Sequence, residues 1–152
     1  MKLFHTWQLC ERIPGGGWLF SRLLGCYVPY SGSIAPRVTR LQAGYAQVAL
    51  RDHRAVRNHL HSIHAIALVN LGEMASGLAL LSGLPENVRG IVTHIAIDYL
   101  KKARGRLLAE SRVNLPTITE DMQHEVYAEI RDQGGDVVAR VTVRWQLGLK
   151  VD

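Results

Sequence analysis

Glu73 is the residue of this chain whose setting most needs a chemical explanation. It lies near the middle of the run from Arg57 to Leu81, RNHLHSIHAIALVNLGEMASGLALL, which reads as one long apolar helix with a polar, histidine-rich lead-in. Ile66, Leu68, Val69, Leu71, Met74, Leu78, Leu80 and Leu81 cover nearly every side of that helix, so it is expected inside the protein. An ionised carboxylate is rarely buried without a partner, because taking its charge out of water is costly. Burial also lifts a carboxyl pKa toward neutrality, as proton abstraction near pH 7 requires. Glu73 is therefore read as a general base or nucleophile. The alternative is a structural carboxylate held by Asn70, one turn earlier, or by an arginine.

Two further groups of residues carry possible chemistry. His61, Ser62 and His64 stand where the first free amides of the helix point outward, and a helix N-terminus favours developing negative charge. Donors aimed at a carbonyl oxygen would stabilise a tetrahedral oxyanion. His59, His61 and His64 form a His-x-His-x-x-His series, but the spacing is not that of a zinc-binding helix such as HExxH, so no metal is expected. His64 is read as an ordinary hydrogen-bonded histidine beside the site. Lys101, Lys102, Arg104 and Arg106 cluster at a turn between two expected strands, with Arg89 at the start of the first of them. Such a group suits phosphates in a solvent-facing groove, or is simply a solvated turn.

The elements that must position these residues alternate in type along the chain. Residues 3–13 suggest a helix broken at Pro14-Gly15-Gly16-Gly17, followed by a short helix from Trp18 to Leu24 with an apolar cluster of Trp18, Leu19, Phe20, Leu23 and Leu24. Strands are expected from Ile34 to Leu41 and from Tyr45 to Arg51, turning at Ala43-Gly44. The long helix closes near Gly83 and Pro85. Further strands follow: Gly90 to Leu100 with Ile91, Thr93, Ile95, Ile97 and Tyr99 on one face, Arg106 to Asn114, and His124 to Arg131 with Val126, Ala128 and Ile130 inward. Asp132-Gln133-Gly134-Gly135-Asp136 is a hairpin turn, and the last strand sets Val137, Ala139, Val141, Val143, Trp145 and Leu147 on one face. This β-β-α-β-β-β-β order predicts an α+β fold, a curved antiparallel sheet wrapped around one long helix. Ala65, Gly72, Ser76 and Ala79 form a stripe of small residues that lets a sheet approach the helix backbone. Residues 1–32 are read as a helical extension and connector, and 33–152 as the main domain.

Composition narrows the function classes. The chain has 152 residues, enough for one domain with a real core. A net charge of +5 suggests an anionic partner, or plain solubility. Nucleic acid is disfavoured, because the basic residues lack interleaved aromatics and no known module is present. Asn70 and Glu73 in the helix centre argue against a membrane span. Cys10 and Cys26 have no metal or disulfide spacing, which makes a reducing cytoplasm the default.

Over residues 33–148 the chain resembles hotdog-fold proteins of the acyl-CoA thioesterase superfamily. The resemblance is carried by the Asn58…His64-Ala65…Glu73…Gly77 helix, the segment DYLKKARGRLLAE (Asp98 to Glu110) and the hairpin EIRDQGGDVVARVTVRW (Glu129 to Trp145). The chain is similar to thioesterases of phenylacetate degradation, and closer still to a sparsely characterised bacterial group assigned as thioesterases. The resemblance implies hydrolysis of an acyl-CoA or acyl carrier protein thioester, with coenzyme A as part of the substrate and no separate cofactor. In such families a helix carboxylate activates water or attacks the thioester, and amides at the helix start polarise its carbonyl. The matching positions are Glu73 for the carboxylate and His64 and Ala65 for the helix start, with Asn58 leading into it. The chain departs from the commoner pattern in opening the helix with His64-Ala65-Ile66 where many relatives have glycines. It also has Gly77 where a hydroxyl is frequent, with Ser76 as a substitute. Asn70, Ser76, Gly77 and His61 are placed around the substrate, and Lys101, Lys102, Arg104 and Arg89 on its coenzyme A phosphates. His64 and Glu73 are nine residues apart, about 14 Å along a helix. One carbonyl cannot touch both, so shared sites in a homodimer, or a dimer of dimers, are expected. The alternative is an acyl-CoA or lipid-binding hotdog protein without turnover.

Overall fold

The computed structural model describes residues 2–150. The chain opens with α1 (Leu3–Cys10), α2 (Gly16–Tyr27) and the single turn α3 (Pro29–Gly32). The expected break separates α1 from α2: Gly15 has a left-handed φ of 76°, and Gly16 lies so close to the Cys10 carbonyl that no side chain fits. Strands β1 (Arg37–Gln42) and β2 (Tyr45–Leu50) form a hairpin through Gly44. β1 begins three residues later than its apolar pattern suggests. Ala35 takes a positive φ of 51°, and Pro36 has no N–H to give to a ladder.

The central helix α4 (Ala65–Leu81) is followed by β3 (Val88–Tyr99), β4 (Leu107–Arg112), β5 (Met122–Arg131) and β6 (Val137–Leu149). All neighbouring strands are antiparallel in the order β1-β2-β4-β5-β6-β3, and α4 packs across the sheet. This is the α+β hotdog arrangement. The small-residue stripe makes the close approach possible: Ser76 and Ala79 are fully buried, and a β-carbon at Gly72 would overlap the Val141 side chain. Along β5 and β6 the expected inward residues Val126, Ala128, Ile130, Ala139, Val141, Val143, Trp145 and Leu147 are buried, whereas Val137, across from Arg131 where the register shifts, is only half-buried.

Three expectations need correction. Residues 57–64 are not helical. Asn58 competes with the helix for backbone groups, its Oδ1 accepting from Leu60 N (2.9 Å), Ser62 N (3.2 Å) and Ser62 Oγ (3.2 Å). An Arg57–Ile63 bridge closes this loop, and His61 takes a left-handed φ of 54°. On β3 the expected single face is split, because the register slips between Val92 and His94. Ile91, opposite Gln146, points away from the helix, whereas Ile95, Ile97 and Tyr99 stand opposite the inward Val143, Val141 and Ala139. Finally, the α2 apolar cluster divides: Phe20 and Leu24 are buried, while Trp18, Leu19 and Leu23 face outward.

The N-terminal helices share the main core. Trp7 packs edge-on against Phe20 at 5.2 Å, within the same cluster as Leu71, Leu80, Ile130 and Leu147. Ser21 Oγ accepts from Val38 N (2.9 Å), tying α2 to the start of β1. Asn70 Nδ2 donates to the Tyr30 carbonyl (3.2 Å), tying α3 to α4. Among the described residues no helix is long and apolar enough to cross a membrane.

Candidate functional site

Glu73 sits in the third turn of α4, half-buried, on the side of the helix facing a cleft of about 810 Å³. The cleft floor is apolar, with Met74, Leu78, Leu81 and Trp145. One wall comes from the N-terminal helices, where Phe4, Leu24, Tyr27 and Val28 face it. Among the described residues nothing hydrogen-bonds to the Glu73 carboxyl, and no cation lies within ion-pair distance of it. Burial alone therefore pushes its pKa above the ordinary carboxylate value of 4.5. The partners proposed for a merely structural carboxylate are engaged elsewhere: Asn70 holds Tyr30, and no arginine reaches it.

Gly77, one turn on, lines the cleft beside Glu73. A β-carbon there would stand 3.1 Å from the Trp145 ring, so the expected hydroxyl-bearing side chain would be crowded at this position. Ser76 is fully buried against the sheet and donates to its own helix, to the Glu73 carbonyl at 2.8 Å. It does not stand in for that hydroxyl in the cleft. Two features escaped sequence reasoning. His5 lines the same cleft, although it is 68 residues from Glu73 in the chain. The Trp145 indole Nε1 is buried without a protein partner, as is Nε2 of His124, its cross-strand neighbour. Only the alternation of β5 and β6, which puts both rings on the helix side, could have signalled that pair.

The start of α4 forms a second, smaller cleft of about 370 Å³, lined by Asn58, Ser62, Ala65, Tyr99, Lys101 and Lys102 among others. The helix start and the basic turn, far apart in sequence, thus meet. Ile63 N donates to the Ala103 carbonyl (2.8 Å), Arg104 Nη2 to the Leu60 carbonyl (3.4 Å), and Tyr99 Oη to the Ala65 carbonyl (3.0 Å). His64 is the N-cap, its Nδ1 accepting from Ile66 N (3.1 Å), while the Ala65 amide has no acceptor among the described residues. Lys101 is held by Asp132 (2.6 Å) and Asp136 (2.7 Å), which push its pKa up to about 12; Lys102 has no ion-pair partner among the described residues. Exposed His61 lies in the loop before the helix. Arg89 is apart from this group, at the opposite end of β3, across from Gly148. Among the described residues no cluster of histidine, cysteine or carboxylate groups could hold a metal ion.

A family model described as a domain of unknown function, DUF4442, matches residues 16–147. The chain belongs to this family. Among curated proteins none matches it. Solved structures of similar fold include a structural-genomics target at 26% identity, covering 97% of this chain and 99% of the other with a TM-score of 0.83. A Pseudomonas aeruginosa protein described as a probable thioesterase is 21% identical over 91% of this chain and 97% of its own, with a TM-score of 0.78. A Haemophilus influenzae thioesterase is 13% identical over 81% and 85%, with a TM-score of 0.71. The DUF4442 chain thus shares its hotdog fold with proteins named as thioesterases.

Proposed function

We propose that this protein hydrolyses acyl-CoA or acyl carrier protein thioesters, using Glu73 as the general base. The observation that carries the reading is a carboxylate, unpaired among the described residues, kept half-buried at a cleft with an apolar floor, its pKa raised by burial alone. Glu73 takes a proton from water as the water oxygen bonds to the thioester carbon. The carbonyl oxygen becomes an oxyanion that accepts from the free Ala65 amide. Collapse of this intermediate breaks the C–S bond, and the departing thiolate receives the proton from Glu73, leaving a carboxylic acid and a thiol. The acyl group lies along Met74, Leu78, Leu81 and Trp145, and Lys102 and Arg104 face the coenzyme A phosphates.

Glu73 and Ala65 are eight residues apart on α4, about 12 Å, too far for one carbonyl. The reading therefore pairs one chain's Glu73 with the helix start of a second copy in a homodimer. Exposed Tyr99 of edge strand β3 donates to the Ala65 carbonyl at that helix start and suits such a contact.

The test is thiol release over a panel of acyl-CoAs, for wild type and for Glu73→Gln. The variant is expected to lose about 10²-fold or more in kcat while still binding acyl-CoA. Full activity in the variant removes Glu73 from the chemistry. A wild type that binds the panel and hydrolyses none of it supports a ligand-binding protein instead.

A further inference from the structure

We propose that a second cleft, on the opposite side of α2 from Glu73, binds a phosphate-bearing anion. It has a volume of about 680 Å³ and lies between α2–α3 and the sheet ends where β1 and β4 begin and β2 finishes. Arg22, Arg37, Arg51, Arg106 and His53 line it beside Trp18, and no carboxylate is among its lining residues. Among the described residues none of these four arginines forms an ion pair. The nearest acid in sequence, Asp52, is already engaged: it accepts from Arg57 Nε (2.5 Å) and from Gly105 N (2.8 Å). Glu11 lies in a shallower adjoining hollow, which Arg37 and Arg106 also line, and forms no ion pair with either.

The sheet register explains how the charges gather. Leu50 pairs with Leu107 at the end of the β2–β4 ladder, and the residues just beyond that pair, Arg51 and Arg106, both line the cleft. Arg37, the first residue of β1, pairs with Ala49, and both line the same cleft. Like charges gathered in one cleft repel one another. Arg22 adds a fourth from the α2 wall. An anion lying among them relieves that repulsion, and guanidinium groups match phosphate oxygens two at a time. The ligand is a phosphate ester or pyrophosphate group, either on a soluble molecule or on a lipid head. The site is separate from the hydrolytic one: Trp18, Arg22 and Cys26 of α2 face it, whereas Leu24 and Tyr27 face the Glu73 cleft.

The test is calorimetric titration of the intact protein with inorganic pyrophosphate, alongside sedimentation with phosphatidic acid or phosphatidylcholine vesicles. The wild type should bind pyrophosphate, phosphatidic acid vesicles, or both, and should leave phosphatidylcholine free. Arg37→Gln/Arg106→Gln should weaken that binding at least tenfold, with Arg51→Gln as a single-site variant weakening it several-fold. Arg140→Gln/Arg144→Gln removes two positive charges from β6, where those arginines face Glu129 and Glu125, and should change binding less than twofold. Binding of pyrophosphate alone assigns a soluble ligand, and binding of the vesicles alone assigns a lipid head. Failure of both to bind wild type, binding to phosphatidylcholine as well, or equal losses in the two double variants overturns the proposal. Glu73→Gln should bind pyrophosphate as wild type does, so the two proposals fail separately.

Discussion

The start of α4 and its third turn, both offered for the same reaction, differ in how their polar groups are satisfied. At the start nearly everything has a partner: Asn58 gathers three donors, His64 caps Ile66, and Tyr99 closes on the Ala65 carbonyl. At Glu73 the carboxyl has none among the described residues, and burial raises its pKa. A satisfied network holds a shape; an unsatisfied buried charge is a standing cost that a stable fold would be better without. On the proposed reading the satisfied start holds one oxyanion donor in place, and the unsatisfied carboxylate is the base.

The sharpest way to break that comparison is to remove one donor from the start without disturbing its shape. Ala65 is the first helical residue, and His64 before it is already extended (φ −62°, ψ 141°), so proline fits there. Ala65→Pro should leave the circular dichroism spectrum unchanged and lower kcat by about 10²-fold, the effect of deleting one oxyanion donor. Mixing unfolded Ala65→Pro and Glu73→Gln chains and refolding them together should restore about a quarter of wild-type activity. Half the dimers are mixed, and each has one intact shared site. No recovery in the mixture would mean that the two residues act within one chain, or not together.

Stability against pH tests the other half of the contrast. Because the folded-state pKa of Glu73 is raised, its favourable contribution is complete below about 4.5 and is lost as pH rises through the folded value. Glu73→Gln should therefore melt close to wild type at pH 4 and higher than wild type at pH 7. A variant less stable than wild type at pH 7 would show that Glu73 has a partner in solution. The smallest expected effect is at the cap. His64→Ala should lower Tm by about 2 °C, at the low end of capping energies, and His64→Asn should recover it.

The candidate site was readable in part. Glu73 stood out because a lone carboxylate interrupts an otherwise apolar helical run, and burial follows from the residues around it. The basic turn was visible as a cluster, but its division was not. Lys101 is neutralised by Asp132 and Asp136 across the β5–β6 hairpin, while Lys102 next to it stays unpaired among the described residues. Ser76 looked like a substitute hydroxyl by proximity, yet its position on the helix turns it toward the sheet.

Local periodicity and turn chemistry were enough for the existence of α4, the alternation of β5 and β6, the hairpin at 132–136 and the wrapped-sheet fold. These depend on residues within a few positions of each other, whose hydrogen bonds and solvent-averse faces are fixed by spacing alone. Tertiary structure decided everything that joins distant segments. It ended the helix at Ala65 through the side chain of Asn58, slipped the register of β3, and brought Phe4, His5 and Tyr27 around Glu73. It also drew Arg22 of α2, Arg37 of β1, Arg51 just after β2 and Arg106 just before β4 to one cleft. Burial and charge depend on which surfaces meet in space, and no pattern confined to one stretch of chain records which distant stretch will cover it.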